Sequence, residues 1–387
     1  MSEVFALGGF LARWSGLARH DLSASESAPL SLPDLLAMGD LDDRRRWRDL
    51  SLGYADPNGA PWLRAEIARR YGNLGPDDVL CCAGAQEALA CLSRALLTPS
   101  DHAVVVVPIY QPSEQAVTSI CAATGVPLDH AGGWHLDIAR VAAAIRPSTR
   151  LLLLNAPNSP TGAVLGAATL ADLVAVCRRH GLWLVNDEVY RATADDPAAI
   201  PPPVADIYER GISIDAMSKA MGLPGLRVGW VACRDRALLA RARAAKSGMS
   251  GCIAAINEVL ARIALRAETP IVARNRAIAS VNRQVLRAIL ARYPEIFGND
   301  TSECLAFSAP CYLGARGAMR FAVGLAREAG VLLLPSGLWQ SSLAEVPANQ
   351  LRIGLGAAGA PAALEALDAH LAGALGRRLL RDASETV

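Results

Sequence analysis

The sequence predicts an α/β protein, with a large domain built on a mostly parallel, doubly wound sheet and a smaller α+β domain. Short apolar runs alternate with helical segments along most of the chain, which is typical of strands joined by crossover helices. Toward the end, the elements become shorter and more mixed. At 387 residues, of which 52% are hydrophobic, the chain is long enough for two domains and their cores.

The composition argues against several classes of function. The net charge is +1, with 38 basic and 37 acidic residues, so the charge does not indicate binding to nucleic acid or to an anionic membrane. Nine irregularly spaced cysteines indicate reduced thiols in a cytoplasmic protein and no metal site. The first ten residues lack the basic segment of a signal peptide, and apolar runs such as residues 103–109 are too short to span a bilayer.

Three segments are expected along the chain. Residues 1–45 are interpreted as a peripheral arm that joins the small domain, and no chemistry is assigned to it. Residues 46–265 are expected to form the large domain, and residues 266–387 the small C-terminal domain. An amphipathic helix is predicted over residues 61–71, directly after a turn-rich loop that contains Tyr54.

The other elements are predicted from apolar runs and their flanking turns. Strands of the large domain are expected at residues 78–83, 103–108, 150–154, 182–185, 212–216 and 228–233. Helical segments are expected at residues 84–92, 168–179 and 236–294. In the small domain, strands are expected at residues 330–335 and 350–356, with a closing helix at 361–375.

Polar or aromatic residues follow several of these strands. The turn at residues 84–86 leads from a strand into a helix, where free backbone N–H groups suit a phosphate. Tyr110 could stack on a planar ring, although core packing explains a single aromatic residue equally well. Residues 155–162 form a polar, proline-rich turn suited to a phenolic oxygen. Asp187, at the tip of a buried strand, requires a partner such as a protonated heterocyclic nitrogen.

The segment at residues 214–230 carries the most specific signal. Lys219 lies among small and apolar residues, and Arg227 follows after a Gly-Leu-Pro-Gly turn. An amine in an apolar setting can form a Schiff base with an aldehyde. An arginine stays charged and binds phosphate through its planar fork. A bare Ser-Lys dipeptide is otherwise most simply a surface lysine in a loop.

Taken together and in this order, these motifs resemble the pyridoxal-phosphate enzymes of fold type I, specifically the class I/II aminotransferase family. The resemblance extends from about residue 52 to residue 375. It is carried by Gly-Tyr-Ala-Asp-Pro-Asn-Gly, Pro-Thr-Gly, Asp-Glu-Val-Tyr, and Ser-Lys followed by Gly-Leu-Arg-Val-Gly.

The resemblance implies that pyridoxal 5′-phosphate (PLP) is the cofactor and assigns its catalytic contacts. Lys219 would hold the cofactor covalently and move protons. Asp187 would pair with the ring nitrogen and keep it protonated, so that the ring accepts carbanion electrons. Tyr190 would donate to the phenolate oxygen, and Tyr110 would stack on the ring.

The same resemblance assigns the phosphate, substrate and partner contacts. The phosphate ligands would be the backbone of Ala85 and Gln86, together with Ser218 and Arg227. Arg352 would bind the α-carboxylate of an amino-acid substrate in a bidentate pair. Tyr54 would reach the phosphate of a neighbouring subunit, which implies a homodimer with shared active sites.

Three departures from the family pattern stand out. Ser159 replaces the asparagine that usually precedes Pro-Thr-Gly, with Asn158 one place earlier, so the contact to the phenolic oxygen is expected to be weaker or rerouted. Ala216 stands where the family tends to have Ser or Thr, which removes one expected phosphate ligand. The glycine-rich substrate segment is hard to find around residues 307–314.

The resemblance leaves the reaction open between related chemistries. An aminotransferase of amino-acid metabolism is the leading interpretation, with proton abstraction from the α-carbon by Lys219 as the first chemical step. The alternative is a lyase, cyclase or oxidase of secondary-metabolite biosynthesis that performs elimination, cyclisation or decarboxylative deamination on the same scaffold. A non-catalytic aminotransferase-like sensor is a remote third, because only about 50 residues precede Tyr54.

Overall fold

The computed structural model describes residues 5–373. The α-helices are α1 (Ala6–Trp14), α2 (Leu32–Ala37), α3 (Leu41–Arg48), α4 (Pro61–Ala68), α5 (Ala85–Leu96), α6 (Gln111–Thr118), α7 (Ile138–Ala144), α8 (Ala167–His180), α9 (Val204–Ile207), α10 (Arg236–Ser247), α11 (Ala255–Arg266), α12 (Glu268–Arg292), α13 (Ala318–Glu328) and α14 (Ala360–Ala372). The strands are β1 (His20–Asp21), β2 (Val79–Cys82), β3 (His102–Val107), β4 (Ala122–Pro127), β5 (Thr149–Asn155), β6 (Trp183–Asp187), β7 (Gly211–Ala216), β8 (Gly229–Ala232), β9 (Phe307–Ser308), β10 (Val331–Leu332), β11 (Leu334–Pro335) and β12 (Leu351–Gly354).

The large sheet has seven strands in the order β2-β8-β7-β6-β5-β3-β4. Every neighbouring pair is parallel except those of β8, which runs antiparallel to both β2 and β7. The predicted α/β class with a mostly parallel sheet is therefore confirmed, and all six expected strands are present. The edge strand β4 was not expected, because its sequence Ala-Ala-Thr-Gly-Val-Pro contains glycine and proline and is only partly buried.

The strand directions bring several loops to one edge of this sheet. Asn155 at the end of β5 lies opposite Asp187 at the end of β6, and β7 ends nearby at Ala216. Two successive reversals, at β8 and β2, return β2 to the direction of the parallel strands. The helix that follows β2 consequently begins at the same edge, which is where ligands bind in open α/β sheets.

The smaller part of the molecule is built around the antiparallel sheet β11-β12-β9. The N-terminal residues pack against it: α1 contributes Leu7, Phe10 and Trp14 to its core, and β1 pairs in parallel with β10. Leu35 of α2 instead belongs to a core cluster with residues of α4 and α11. The N-terminal arm thus contacts both parts of the molecule.

The domain boundaries at residues 45 and 265 remain predictions. Residues 1–4 and 374–387, at the outer ends of the first and last segments, lie outside the described residues. So does Leu375, to which the closing helix was expected to extend. Within residues 5–373, no helix is both long and apolar enough to cross a membrane.

Candidate active site

A cavity of about 440 Å³ opens at the carboxyl edge of the large sheet. It is closed on the other side by α1, by the chain after β1 and by β12. The predicted site residues that line it are Ala85, Gln86, Tyr110, Ser159, Asp187, Tyr190, Ser218, Lys219, Arg227 and Arg352. Most of the predicted site is therefore brought together in one place, with Asn158 and Tyr54 as the exceptions.

The first turn of α5 and the Arg227 side chain form a cradle for an anion. Gly84 has φ +91° and a Cβ there would lie 2.7 Å from Arg227 Nη2, so glycine permits the close approach of the guanidinium. The first backbone N–H groups of the helix, at Ala85 and Gln86, have no acceptor within it. Their positive dipole end and the guanidinium suit a phosphate. Ser218 lines the same cavity.

Asp187 lies at the end of β6, and the residue is 9% exposed. Burial raises its pKa to about 7, although the Val189 N–H, which donates to Oδ1 at 3.2 Å, lowers it. The buried carboxyl of Asp215 raises it further. A protonated ring nitrogen would supply the positive partner that this desolvated carboxylate lacks. The residue therefore fits the pyridinium of the expected cofactor.

Lys219 extends into the cavity and contacts the chain after β1. Its Nζ donates to Ser25 Oγ at 2.9 Å, lies 3.6 Å from Glu26 Oε2, and lies 5.6 Å from the ring centre of Tyr190. The chain contains a single further lysine, Lys246, which is fully buried and donates to the Pro57 carbonyl oxygen. Lys219 is thus the lysine amine available to an aldehyde in this cavity.

Ser25 links the two functional groups expected to act nearest the reacting carbon. Its Oγ accepts from the Tyr190 hydroxyl at 2.9 Å as well as from Lys219 Nζ, and the residue is 4% exposed. No role was predicted for this serine from the sequence.

Arg352 on β12 forms the opposite side of the cavity and is 6% exposed. It donates to the Ser23 carbonyl oxygen at 2.9 Å and to Ser159 Oγ at 3.2 Å, while its Nε has no hydrogen-bond partner. The rings of Phe307 and Trp339 lie 5.4 and 4.7 Å from the guanidinium carbon. Burial lowers the pKa of this guanidinium. A buried, incompletely satisfied cation is suited to bind a carboxylate.

In the turn after β5, Asn155 faces the cavity, whereas Asn158 was expected to do so. The amide of Asn158 is used inside the turn, since Nδ2 donates to the Pro108 carbonyl oxygen at 3.0 Å and Oδ1 accepts from Thr161 Oγ1 at 2.8 Å. Asn155 lines the cavity instead; its Nδ2 donates to the Asp187 carbonyl oxygen and its Oδ1 accepts from the Ser159 N–H. This geometry therefore gives no support to Asn158 as a cofactor ligand. The polar rim consists of Asn155 and Ser159.

Tyr54 is fully exposed and lies outside the cavity of its own chain. Its loop is anchored at the base, where Lys246 holds the Pro57 carbonyl and Glu258 accepts from the Ala60 N–H at 2.8 Å. The loop therefore has a fixed base and presents an aromatic side chain outward.

The chain directly after β1 lines the cavity, and no site residue was predicted there from the sequence. Ser23, Ala24, Ser25 and Glu26 all line the cavity, and the Ser27 N–H donates to the Lys219 carbonyl oxygen at 3.1 Å. No chemistry was assigned to residues 1–45 from the sequence, and this segment of them lines the cavity. The alternation of small polar residues there carries no signal of a site, because solvated loops have the same composition.

Comparison with known proteins identifies the family. The family model for aminotransferase class I and II matches residues 48–371. A probable N-succinyldiaminopimelate aminotransferase of Mycobacterium tuberculosis is 31% identical over 289 residues, which are 72% of this chain and 72% of that protein.

Two further similarities differ in what they cover. An arginine–pyruvate transaminase of Pseudomonas aeruginosa is 36% identical over 186 residues, 46% of this chain, so the match spans only 47% of that protein. The crystal structure of a PLP-dependent aminotransferase from Streptococcus suis has a TM-score of 0.88 and 24% identity, covering 98% of this chain and 99% of that chain. This structural likeness shows the fold.

The residues of the cavity fit the cofactor of that family. The cradle at α5 and Arg227 is suited to its phosphate, the buried carboxyl of Asp187 to its ring nitrogen, and the amine of Lys219 to its aldehyde. The chain belongs to the class I and II aminotransferases, a family of PLP-dependent enzymes.

Proposed function

We propose that this enzyme transfers the amino group of an α-amino acid to an α-keto acid, with PLP held by Lys219. The observation that supports it most is the convergence of Lys219, Asp187 and Arg352 on one cavity. When bound, PLP supplies an aldehyde that reacts with amines and a ring that withdraws electrons from the α-carbon. The protein binds, orients and moves protons.

Arg352 determines how the substrate is oriented. A carboxylate bound to the guanidinium would satisfy the unpartnered Nε of this buried cation. With the carboxylate held by Arg352, the Cα–H bond, and not the bond to the carboxyl group, would be oriented for cleavage.

Lys219 acts as the base for that proton, and the residues around it control its position. Ser25 accepts from the free Lys219 amine and from the Tyr190 hydroxyl. These contacts would hold the Lys219 amine at the cavity wall whenever it is not bound to the cofactor. A general base must lie within hydrogen-bond distance of the proton that it removes, so the position of the Lys219 amine matters for catalysis.

The enzyme is further proposed to be a homodimer with shared active sites. Tyr54 and Leu52 are large exposed side chains on a loop with a fixed base. In a dimer, this loop would bring the Tyr54 hydroxyl to the phosphate cradle of the partner subunit. Light scattering should give twice the chain mass, and Tyr54→Phe should weaken PLP binding without dissociating the dimer. A monomer that is fully active contradicts this assembly.

The names of the relatives leave the substrate open, because one is named for arginine and pyruvate and the other for N-succinyldiaminopimelate. The reaction is tested with the PLP-loaded enzyme, a panel of amino acids and several keto acids in deuterated water. We expect exchange of the α-hydrogen together with formation of a new amino acid. Release of ammonia or carbon dioxide without amino transfer would instead assign the enzyme to the lyases or cyclases of the same fold.

A further inference from the structure

We propose that the substrate carries a cationic side chain, which Asp21 and Glu26 recognise. This inference rests on the proposed function, since it concerns the substrate of the same cavity. It follows from the charges that line the cavity, from the position of the two acids and from the way their carboxylates are held.

Among the described residues, six charged side chains line the cavity: Asp21, Glu26, Asp187, Lys219, Arg227 and Arg352. In the proposed function, Lys219, Asp187 and Arg227 would be engaged by the aldehyde, the ring nitrogen and the phosphate of the cofactor. Arg352 would be engaged by the α-carboxylate of the substrate. The two that are left, Asp21 and Glu26, are both acids, and no cation of the cavity remains to neutralise a negative side chain of the substrate.

The two acids lie on the segment that connects Arg352 to Lys219, the two residues between which an amino-acid substrate would bind. Ser23 is bonded to Arg352 through its carbonyl oxygen, and Glu26 lies 3.6 Å from Lys219 Nζ. The chain from Asp21 to Glu26 therefore runs from the carboxylate-binding arginine to the lysine that faces the α-carbon. A side chain that leaves the α-carbon on this side meets these carboxylates.

Both carboxylates are oriented by backbone groups of the same segment. Asp21 Oδ1 accepts from the Ser23 N–H at 2.7 Å, and Glu26 Oε2 accepts from the Ser25 N–H at 3.1 Å. The backbone of β1, which carries Asp21, is fixed by its pairing with β10. Carboxylates held in this way are preorganised, so binding a cation to them costs little additional ordering.

Glu26 is paired with Lys219, and the proposed reaction would break this ion pair. Within residues 5–373, Glu26 forms an ion pair with Lys219, and no ion pair of Asp21 is seen. While the Lys219 amine is bound to the cofactor, Glu26 would lack this cation, and after the substrate amine has replaced Lys219 the lysine must be uncharged to act as a base. A guanidinium or ammonium group of the substrate would replace it with charge-assisted hydrogen bonds, which are about twice as strong as neutral ones.

The same arrangement disfavours dicarboxylic substrates. Aspartate, glutamate and 2-oxoglutarate would bring a second negative charge toward Asp21 and Glu26, and like charges at close range reject a ligand. The amino acceptor is therefore a monocarboxylic keto acid.

The test compares amino acids of equal shape and different charge on the PLP-loaded enzyme. L-arginine is paired with L-citrulline and L-lysine with L-norleucine, and L-glutamate is included. Dissociation constants are measured by calorimetry, and kcat/KM for amino transfer to pyruvate is measured separately. We expect the better cationic substrate to bind about 10-fold or more tightly than its neutral counterpart, because a charge-assisted bond discriminates by at least this factor.

Two variants assign the preference to these residues. Glu26→Gln and Asp21→Asn should each reduce binding of the cationic substrate about 10-fold and leave the neutral counterpart within about twofold. Asp21→Asn is the cleaner variant, because Asp21 contacts neither Lys219 nor Arg352. Asp172→Asn, which removes an exposed acid of α8, is the matched control and should change neither constant.

The outcomes separate this inference from the proposed function. If neutral or dicarboxylic amino acids bind and react better than cationic ones, or if neither variant changes the preference, the inference is overturned while aminotransfer stands. If no amino acid of any charge binds or exchanges its α-hydrogen, the proposed function fails and the inference fails with it.

Discussion

The active-site cavity has two walls of different construction. The sheet wall carries Asp187 and Lys219 at or after the ends of neighbouring parallel strands, β6 and β7, whose register sets their spacing. The outer wall consists of residues 21–27 and Arg352. Residues 21–27 are held by backbone hydrogen bonds at both ends. The Leu22 N–H donates to the Leu332 carbonyl oxygen, and the Ser27 N–H donates to the Lys219 carbonyl oxygen.

This difference separates chemistry from recognition. The sheet wall is a single rigid layer, and buried acids there have raised pKa values because burial disfavours their charge. Such a layer suits a cofactor that must stay in one orientation. The outer wall joins segments far apart in the chain, with half-exposed acids suited to a substrate that enters and leaves. Changes in the sheet wall should therefore abolish chemistry, and changes in residues 21–27 of the outer wall should alter rates or specificity more mildly.

The largest effect is expected for Lys219→Ala. Loss of the lysine amine removes both the covalent attachment and the base, so turnover should fall by about 10⁴-fold or more. Borohydride reduction of the PLP-loaded enzyme and peptide mapping should place the adduct on Lys219 in the wild type and give none in the variant. Since Lys246 is the other lysine of the chain, an adduct there would contradict the assignment.

A smaller but still large effect is expected for Asp187→Ala. The ring nitrogen loses the carboxylate that keeps it protonated, and the rate should fall by about 10³-fold, as for loss of a strong electrostatic contact. Reduction with borohydride should still label Lys219, because the aldehyde and the amine are unchanged. Turnover within a few fold of the wild type would refute this role.

These two residues are also those that the sequence made easiest to find. Apolar runs of strand length end two residues before Asp187 and shortly before Lys219, so their common edge follows from parallel pairing. The choice between Asn155 and Asn158 could not be made in this way, because both lie in one turn and its internal hydrogen bonds decide which amide faces the cavity.

The outer wall was not predictable for a different reason. Residues 22–27 have neither helical nor alternating apolar periodicity, and their place depends on β1 pairing with β10, about 310 residues later in the chain. Local sequence does not encode a pairing of that range. The charges of Asp21 and Glu26 have meaning only once Arg352 and Lys219 are known to flank them.

The third test uses the pH dependence of the unfolding free energy of the cofactor-free protein, which reports the pKa of Asp187 in the sheet wall. The pKa of Asp187 is raised from its ordinary 3.8 to about 7, mainly by burial, so the folded protein binds more protons than the unfolded chain between these values. The contribution of this carboxyl to stability is therefore lost as pH rises from about 4 to about 7. Between pH 5 and pH 8 the loss should be on the order of 2–3 kcal/mol.

Asp187→Asn separates this contribution from that of other groups. Denaturant unfolding of the cofactor-free protein at pH 5 and pH 8 should show a smaller decrease in the free energy of unfolding for the variant than for the wild type. The raised pKa of Glu188, also about 7 and also caused mainly by burial, acts in the same direction in both proteins and should leave a residual decrease. Equal decreases in the two proteins would show that Asp187 is ionised well below pH 7.

The smallest effect is expected for Ser25→Ala, on the outer wall. The substitution removes the acceptor shared by Lys219 Nζ and the Tyr190 hydroxyl, each at 2.9 Å, and leaves the donors in place. We expect kcat and the rate of α-hydrogen exchange to fall about 10-fold with KM little changed, because one hydrogen bond to a charged group contributes about 1.5–3 kcal/mol at most. Ser25→Thr, which keeps the hydroxyl, should recover most of the rate.

Ser23→Ala is the matched control for this variant. Ser23 lines the same cavity, but its bond to Arg352 is made by its backbone carbonyl, so loss of its side chain should leave kcat within about twofold.

A double-mutant cycle with Tyr190→Phe then tests whether Ser25 acts through the shared bond. If it does, Ser25→Ala should cost less in the Tyr190→Phe background than in the wild type, because the hydroxyl it holds is already absent. Fully additive losses would mean that Ser25 acts on Lys219 alone, and an unchanged kcat in Ser25→Ala would show that Ser25 positions neither group.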